Sequence, residues 1–119
     1  MLEAMRRLLL LLLAAAGTAC VQDTLDPLPF QVAVEASRTS AAPGDTVNFL
    51  VTTQGGSLIG VVMDYGDATT DLYGTSGART AKVSFRHAFS TRGTFTVRAT
   101  VTDAQPVGEK AATIDVRIQ

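Results

Sequence analysis

Along residues 94–102 the chain alternates without interruption. Phe95, Val97, Ala99 and Val101 share one parity, and Thr94, Thr96, Arg98, Thr100 and Thr102 the other. Successive side chains of a strand point to opposite faces, so this pattern makes a ribbon with one apolar and one polar face. The same period recurs at Phe30, Val32 and Val34, at Val47, Phe49 and Val51, at Val83, Phe85 and His87, and at Ile114, Val116 and Ile118. Residues 58–65 read as a more apolar strand, with Ile59, Val61, Met63 and Tyr65 assigned to one face. Pro43 and Gly44 punctuate a turn over residues 40–45, and Gln54, Gly55, Gly56 and Ser57 form the next break. Residues 66–80 read as irregular, with at most a short edge strand around Asp71 and Tyr73. No segment after the N-terminal leader carries a helical period. The expectation is an all-β fold: an immunoglobulin-like antiparallel β-sandwich of about seven strands, built from residues 30–119 as one domain.

The first twenty residues follow a different rule. Arg6 and Arg7 precede six consecutive leucines, three alanines and the small residues Gly17, Thr18 and Ala19, and the chain's one cysteine, Cys20, comes next. A charged start, a short apolar run and small residues at the cut site make residues 1–19 a secretory signal. The apolar run is shorter than the roughly 20 residues a membrane span needs. Cys20 resembles the cysteine of a bacterial lipobox, whose thiol is diacylated and before which the signal is cut. Gly17 departs from the leucine usual at that position, while Ala19 fits it. Val21 is not the aspartate that retains lipoproteins at the inner membrane, so the same resemblance implies an outer-membrane address in a Gram-negative cell. Residues 20–29, with Pro27 and Pro29, read as a stiffened tether reaching roughly 30 Å from the bilayer. A lipid on Cys20 also consumes the one thiol. The domain is then expected to hold together by its core, without a disulfide.

Losing Glu3, Arg6 and Arg7 with the signal takes the formal charge from −1 to −2. A basic surplus of the kind that draws nucleic acid is absent, so no nucleic-acid partner is expected. Lys82, Arg86 and Arg98 read as a solvated sheet face whose charges discourage edge-to-edge pairing.

Four short motifs narrow the fold. Met63-Asp64-Tyr65-Gly66-Asp67-Ala68 resembles the Trp-Asp-Phe-Gly-Asp-Gly signature of PKD domains, named for the polycystic kidney disease protein. His87-Ala88-Phe89 is similar to that family's His-x-Tyr, Gly93 to Val97 through Phe95 to its Gly-x-Tyr-x-Val, and Thr100 to Asp103 to its Thr-Val-x-Asp. The stretch from Ala42 to Phe49 is similar to the start of its second strand. Met63 stands where tryptophan is usual, and Ala68 where a second glycine is usual. Methionine is adaptable enough to fill a core slot, and Ala68 implies a turn position without a positive φ. The resemblance implies an extracellular immunoglobulin-like module that serves as spacer or binder and is not an enzyme.

Asp64 and Asp67 flank Gly66. Such a pair can act as acid and base, or hold Ca²⁺ through its oxygens. Caps on the turn, accepting backbone N–H groups, are the reading preferred here, because no dense acidic cluster surrounds them. No other cofactor is expected. His87 is the single histidine, with no recognisable nucleophile motif around it. In the family this position is structural, which implies a ring nitrogen bonded to loop backbone. One imidazole does not make a zinc site. Tyr65 is expected in the core and Tyr73 at the surface, which leaves little platform for stacking sugars. The expected function is a lipid-anchored, extracytoplasmic, non-catalytic module for protein or glycan contacts. Its preferred surface is residues 66–80, with Asp71, Tyr73 and Arg79. The alternative is a membrane-tethered accessory subunit of a larger envelope or secreted-enzyme complex.

Overall fold

The computed structural model describes residues 28–119. The signal sequence, Cys20 and most of the tether lie outside the described residues. The described chain is all β, in six strands: β1 (Gln31–Ala36), β2 (Ser40–Ala41), β3 (Thr46–Asp64), β4 (Thr70–Ala88), β5 (Gly93–Ala104) and β6 (Val107–Ile118).

Two of these strands are long enough to serve both layers of a sandwich. Residues 46–54 of β3 lie between β1 and residues 80–88 of β4. Residues 58–64 of β3 lie between residues 70–78 of β4 and β5. β6 continues the second layer beyond β5, and β2 adds to β6 in parallel. The first layer is therefore β1, the start of β3 and the end of β4. The second is the start of β4, the end of β3, then β5, β6 and β2. Val47, Phe49, Val51, Val83 and Phe85 from the first layer meet Val61, Met63, Tyr65, Val97, Ala99, Val101, Val116 and Ile118 from the second in one buried cluster. Each such side chain contributes about 1.5–3 kcal/mol when fully buried, so a core of this extent can hold without a disulfide.

Two sequence expectations change here. The break at residues 54–57 is a corner inside a continuous strand, and β4 runs straight through most of residues 66–80. The ladder absorbs the corner with register shifts between Gln54 and Leu58 and between Leu58 and Gly60. An extra residue in one strand flips the parity beyond it. Leu58 is consequently buried and Ile59 is 55% exposed, the reverse of the face assigned to Ile59 by simple alternation. The expected turn around Pro43 and Gly44 forms, and its Gly44 N–H donates to the Phe89 carbonyl at 2.8 Å. That bond docks the turn onto the end of β4.

Asp103 holds the corner. It is fully buried at the end of β5, on the parity of Phe95, Val97, Ala99 and Val101. Its carboxylate accepts the N–H groups of Gly56 at 2.9 Å, Ser57 at 2.7 Å and Gln105 at 3.2 Å. The Gly56 bond contributes most to holding this carboxyl below its ordinary value of 3.8, against the opposing effect of burial. Gly56 is required by space: a Cβ there would lie 1.8 Å from the Gln105 carbonyl oxygen. Gly56→Ala is expected to cost about 3 kcal/mol, the upper end of an overpacking penalty, because the obstacle is backbone. Gly108→Ala, where an added Cβ meets nothing within 4 Å, is the control and should stay within about 0.5 kcal/mol. Urea midpoints of the two variants check this.

Candidate functional site

The signature residues gather around the hairpin joining β3 to β4. Asp64 ends β3, and its Oδ1 accepts the Gly66 N–H at 2.9 Å. Asp67 Oδ1 accepts the Thr69 N–H at 3.1 Å and also the Thr69 hydroxyl. Both aspartates thus accept backbone N–H groups of the turn, closing a loop in which the Tyr65 N–H donates to the Thr69 carbonyl. Gly66 sits at φ 77°, and a Cβ there would lie 2.7 Å from the Thr96 carbonyl oxygen of β5. Glycine is needed at this position for conformation and for space alike.

Ala68 corrects an expectation. Its φ is 71°, so the turn does require the left-handed region and accommodates an alanine there under strain.

His87 corrects another. Its partner is a carboxylate: Nε2 donates to Asp67 Oδ2 at 2.7 Å, so the ring carries a proton at that nitrogen. Both side chains are largely shielded from solvent. Burial acts to raise the Asp67 carboxyl, but the Thr69 and His87 hydrogen bonds outweigh it and hold the group below its ordinary value of 3.8.

The imidazole lies flat on Tyr65, ring centroids 3.9 Å apart, and meets the edge of Phe89 at 4.7 Å. Phe89 stacks on Phe95 at 4.8 Å, and Tyr65 is tilted against Phe49 at 5.8 Å. Each such pair adds about 0.5–1.5 kcal/mol beyond its buried area. Tyr65, His87, Phe89 and Phe95 therefore form one column across both layers, with Met63 buried in the same core. Gly93, at φ 146°, opens the strand that delivers Phe95.

The column has a polar end that the sequence did not disclose. The buried Tyr65 hydroxyl donates to Asp71 Oδ2 at 2.6 Å. Burial and then Asp71 push the tyrosine's ionisation well above its ordinary value. Asp71 is thus a partner of the core and not a free loop acid. Asp71 and Tyr73 lie on β4, as does Arg79, so the expected binding loop is mostly strand. Tyr73 is half exposed, as expected. A cleft of about 730 Å³ is lined by Phe30, Val32, Thr53, Ala81 and Lys110 among others, and shares no residue with the signature cluster.

Chemically, this arrangement fastens elements together. Asp64 and Asp67 are each engaged in their own half of the turn. Among the described residues, no three carboxylates, imidazoles or thiols gather as metal ligands would.

Two measurements follow from this geometry. Ala68→Gly should stabilise the protein by about 0.5–1 kcal/mol. It relieves a left-handed alanine costing about 1–2 kcal/mol, offset by about 0.4–1 kcal/mol of added freedom in the unfolded chain. Thermal melts of the two proteins check the sign. The second measurement is pH dependence. Asp67 and Asp103 have folded values below their unfolded ones, so the unfolded chain binds more protons in the window beneath about 3.8. Their stabilisation is complete above the unfolded value and is lost as pH falls through the folded values. Melting temperature should drop across that acid window, and Asp67→Asn should make the drop shallower.

A family model for the PKD domain matches residues 30–118. Among solved structures, the PKD domain of an M14-like peptidase from a Thermoplasmatales archaeon is similar at 28% identity and TM-score 0.66, covering 78% of this chain and 96% of that one. The PKD domain from human VPS10 domain-containing receptor SorCS2 is 20% identical with TM-score 0.56, covering 78% of this chain and 74% of that one. A CARDB domain from Pyrococcus furiosus, solved in complex with di-metal ions, shares the fold at 16% identity and TM-score 0.58, covering 77% and 93% of the respective chains. No curated protein matches the sequence. With its signature residues fastening the β3–β4 ribbon at the tip and at the bend, and with the family model matching residues 30–118, the chain belongs to the PKD domain family.

Proposed function

We propose that this PKD protein is a non-catalytic binding module, anchored by lipid at Cys20 and held outside the cytoplasm at the cell envelope. PKD domains are typically extracellular or extracytoplasmic modules. The observation that carries the reading is how the motif's polar groups are used. Asp67 is bound to His87, Tyr65 to Asp71, and Asp103 to backbone amides. A catalytic acid, base or nucleophile has to be available to substrate, and these groups are committed to holding strands. The lipobox-like sequence up to Cys20 supplies the address, and the proposed ligand is a protein or a glycan of the envelope. Two or more acyl chains would make the anchoring stable where one would not.

The test is recovery of the intact chain from detergent-solubilised envelopes, with Cys20→Ser as control. The expected result is a fatty-acylated protein in the membrane fraction that brings a stoichiometric protein or glycan with it. Cys20→Ser should lose the acyl label and the membrane association. An unacylated wild-type chain in the soluble fraction would overturn the anchor. Turnover of an envelope polymer by the purified chain would overturn the non-catalytic reading.

A further inference from the structure

Among the described residues, four of the six exposed large apolar side chains sit together, Leu28 and Val107 lying elsewhere. Ile59, Val62, Leu72 and Tyr73 are 55%, 40%, 75% and 53% exposed, and all four lie on the part of the β3–β4 ribbon that belongs to the second layer. Val62 is directly opposite Leu72 in the ladder, and Val61 opposite Tyr73. Because Val61 is buried and Val62 is not, Leu72 stands on the outer face and Tyr73 on the core side at the sheet margin. Among the described residues β4 pairs with β3 alone, so its other edge presents unpaired backbone groups.

That edge has two different halves. Residues 80–88 carry the exposed cations Lys82 and Arg86, which repel an incoming strand of the same kind. Residues 70–75 carry one charge, Asp71, and no cation or proline. The regular stretch ends at Ser76 and Gly77, both at positive φ. What remains is a short edge without a cation or a proline, carrying Leu72 and Tyr73, the kind that natural sheets normally guard.

We infer that residues 70–74 of β4 pair antiparallel with the same residues of a second copy of this chain, about a two-fold axis at Leu72. A two-fold perpendicular to the sheet keeps outer faces together, so three centres are open to it. Centring on Asp71 opposes like charges. Centring on Tyr73 sets Leu72 against Gly74 and runs the ladder into Ser76. Centring on Leu72 joins Val62, Leu72 and their two counterparts in one apolar row. It also places each Asp71 beside the other copy's Tyr73, so the segment's one charge never meets its like. The chain is then complementary to itself, with Thr70 opposite Gly74 of the other copy. The second layers of the two copies would join into one continuous sheet. This contact does not depend on the lipid anchor.

Cysteine pairs in the full chain test it, in a Cys20→Ser background, by mild oxidation of cells making the protein. Opposed residues of an antiparallel pair have Cα atoms about 4.5–5.5 Å apart, within disulfide range. Leu72→Cys alone should give disulfide dimers several-fold above Val107→Cys, an equally open control at 88% exposure. Thr70→Cys chains mixed with Gly74→Cys chains should cross-link several-fold better than either alone. Gly74 has room for the side chain, since an added Cβ there meets nothing within 4 Å. Leu72→Cys dimers no more abundant than those of Val107→Cys would overturn the proposal. So would a mixed pair no better than its members, or an adduct whose mass shows a different protein on Leu72→Cys.

Discussion

One buried carboxylate decides where this sandwich divides into two layers. Asp103 is fully buried at the end of β5, a position that would be costly without donors. It is tolerable because the backbone brings N–H groups to it from Gly56, Ser57 and Gln105. The same bonds fix the corner at which β3 leaves β1 and passes to β5. Since β4 follows β3 along its whole length, the corner of one strand sets the corner of the other. The long hairpin is therefore divided between layers by a side chain that belongs to neither of its strands.

The far end of the second layer is fastened by different chemistry. There the hairpin loop is pulled onto the end of β4 by the Asp67–His87 contact, and the imidazole lies on Tyr65 beneath it. Polar and aromatic contacts reinforce one another at this site. The hydrogen bond fixes the ring's orientation, and the stack on Tyr65 fixes its plane. The Tyr65 hydroxyl then ties the column to Asp71 at the start of β4. The Asp103 corner and the aromatic column both act on the same ribbon, one at its bend and one at its tip. This explains why the family signature clusters on either side of β3 and β4 although the sequence spreads it over residues 63–103.

The strands, their faces and the motif cluster were legible in the sequence because they are local and periodic. Alternation placed Val47, Phe49, Val51, Val97, Ala99 and Val101 in the core, where they lie. What alternation cannot register is a bulge. Alternation puts Ile59 on the face of Val61, Met63 and Tyr65, because nothing in its neighbours announces an extra residue. The two glycines at 55 and 56 read as a break, since the same lack of side chains serves a turn or a close backbone approach. Asp103 follows the same rule: one further step of the β5 parity puts a carboxylate on the core face, and such a group demands donors. The partner of His87 is not legible in the same way, because its carboxylate lies twenty residues away and meets it only once the hairpin closes. Ala68 misled by its identity alone, since an alanine at positive φ reports strain that only a backbone angle reveals.

The polar groups of the signature are engaged within the fold, Asp64 and Asp67 in the turn, His87 on Asp67, and Asp103 on backbone amides. These contacts secure the shape of the β3–β4 ribbon. Outside these contacts lie the outer faces and the free edge of β4. Their character changes along the strand, from the stretch around Leu72, whose one charge is Asp71, to the cationic stretch around Lys82 and Arg86. Both stretches share one strand and one ladder with β3, so backbone geometry does not distinguish them. The difference lies in side chains the fold does not need, and selection is free to act on those without disturbing the corner at Asp103 or the column on Tyr65.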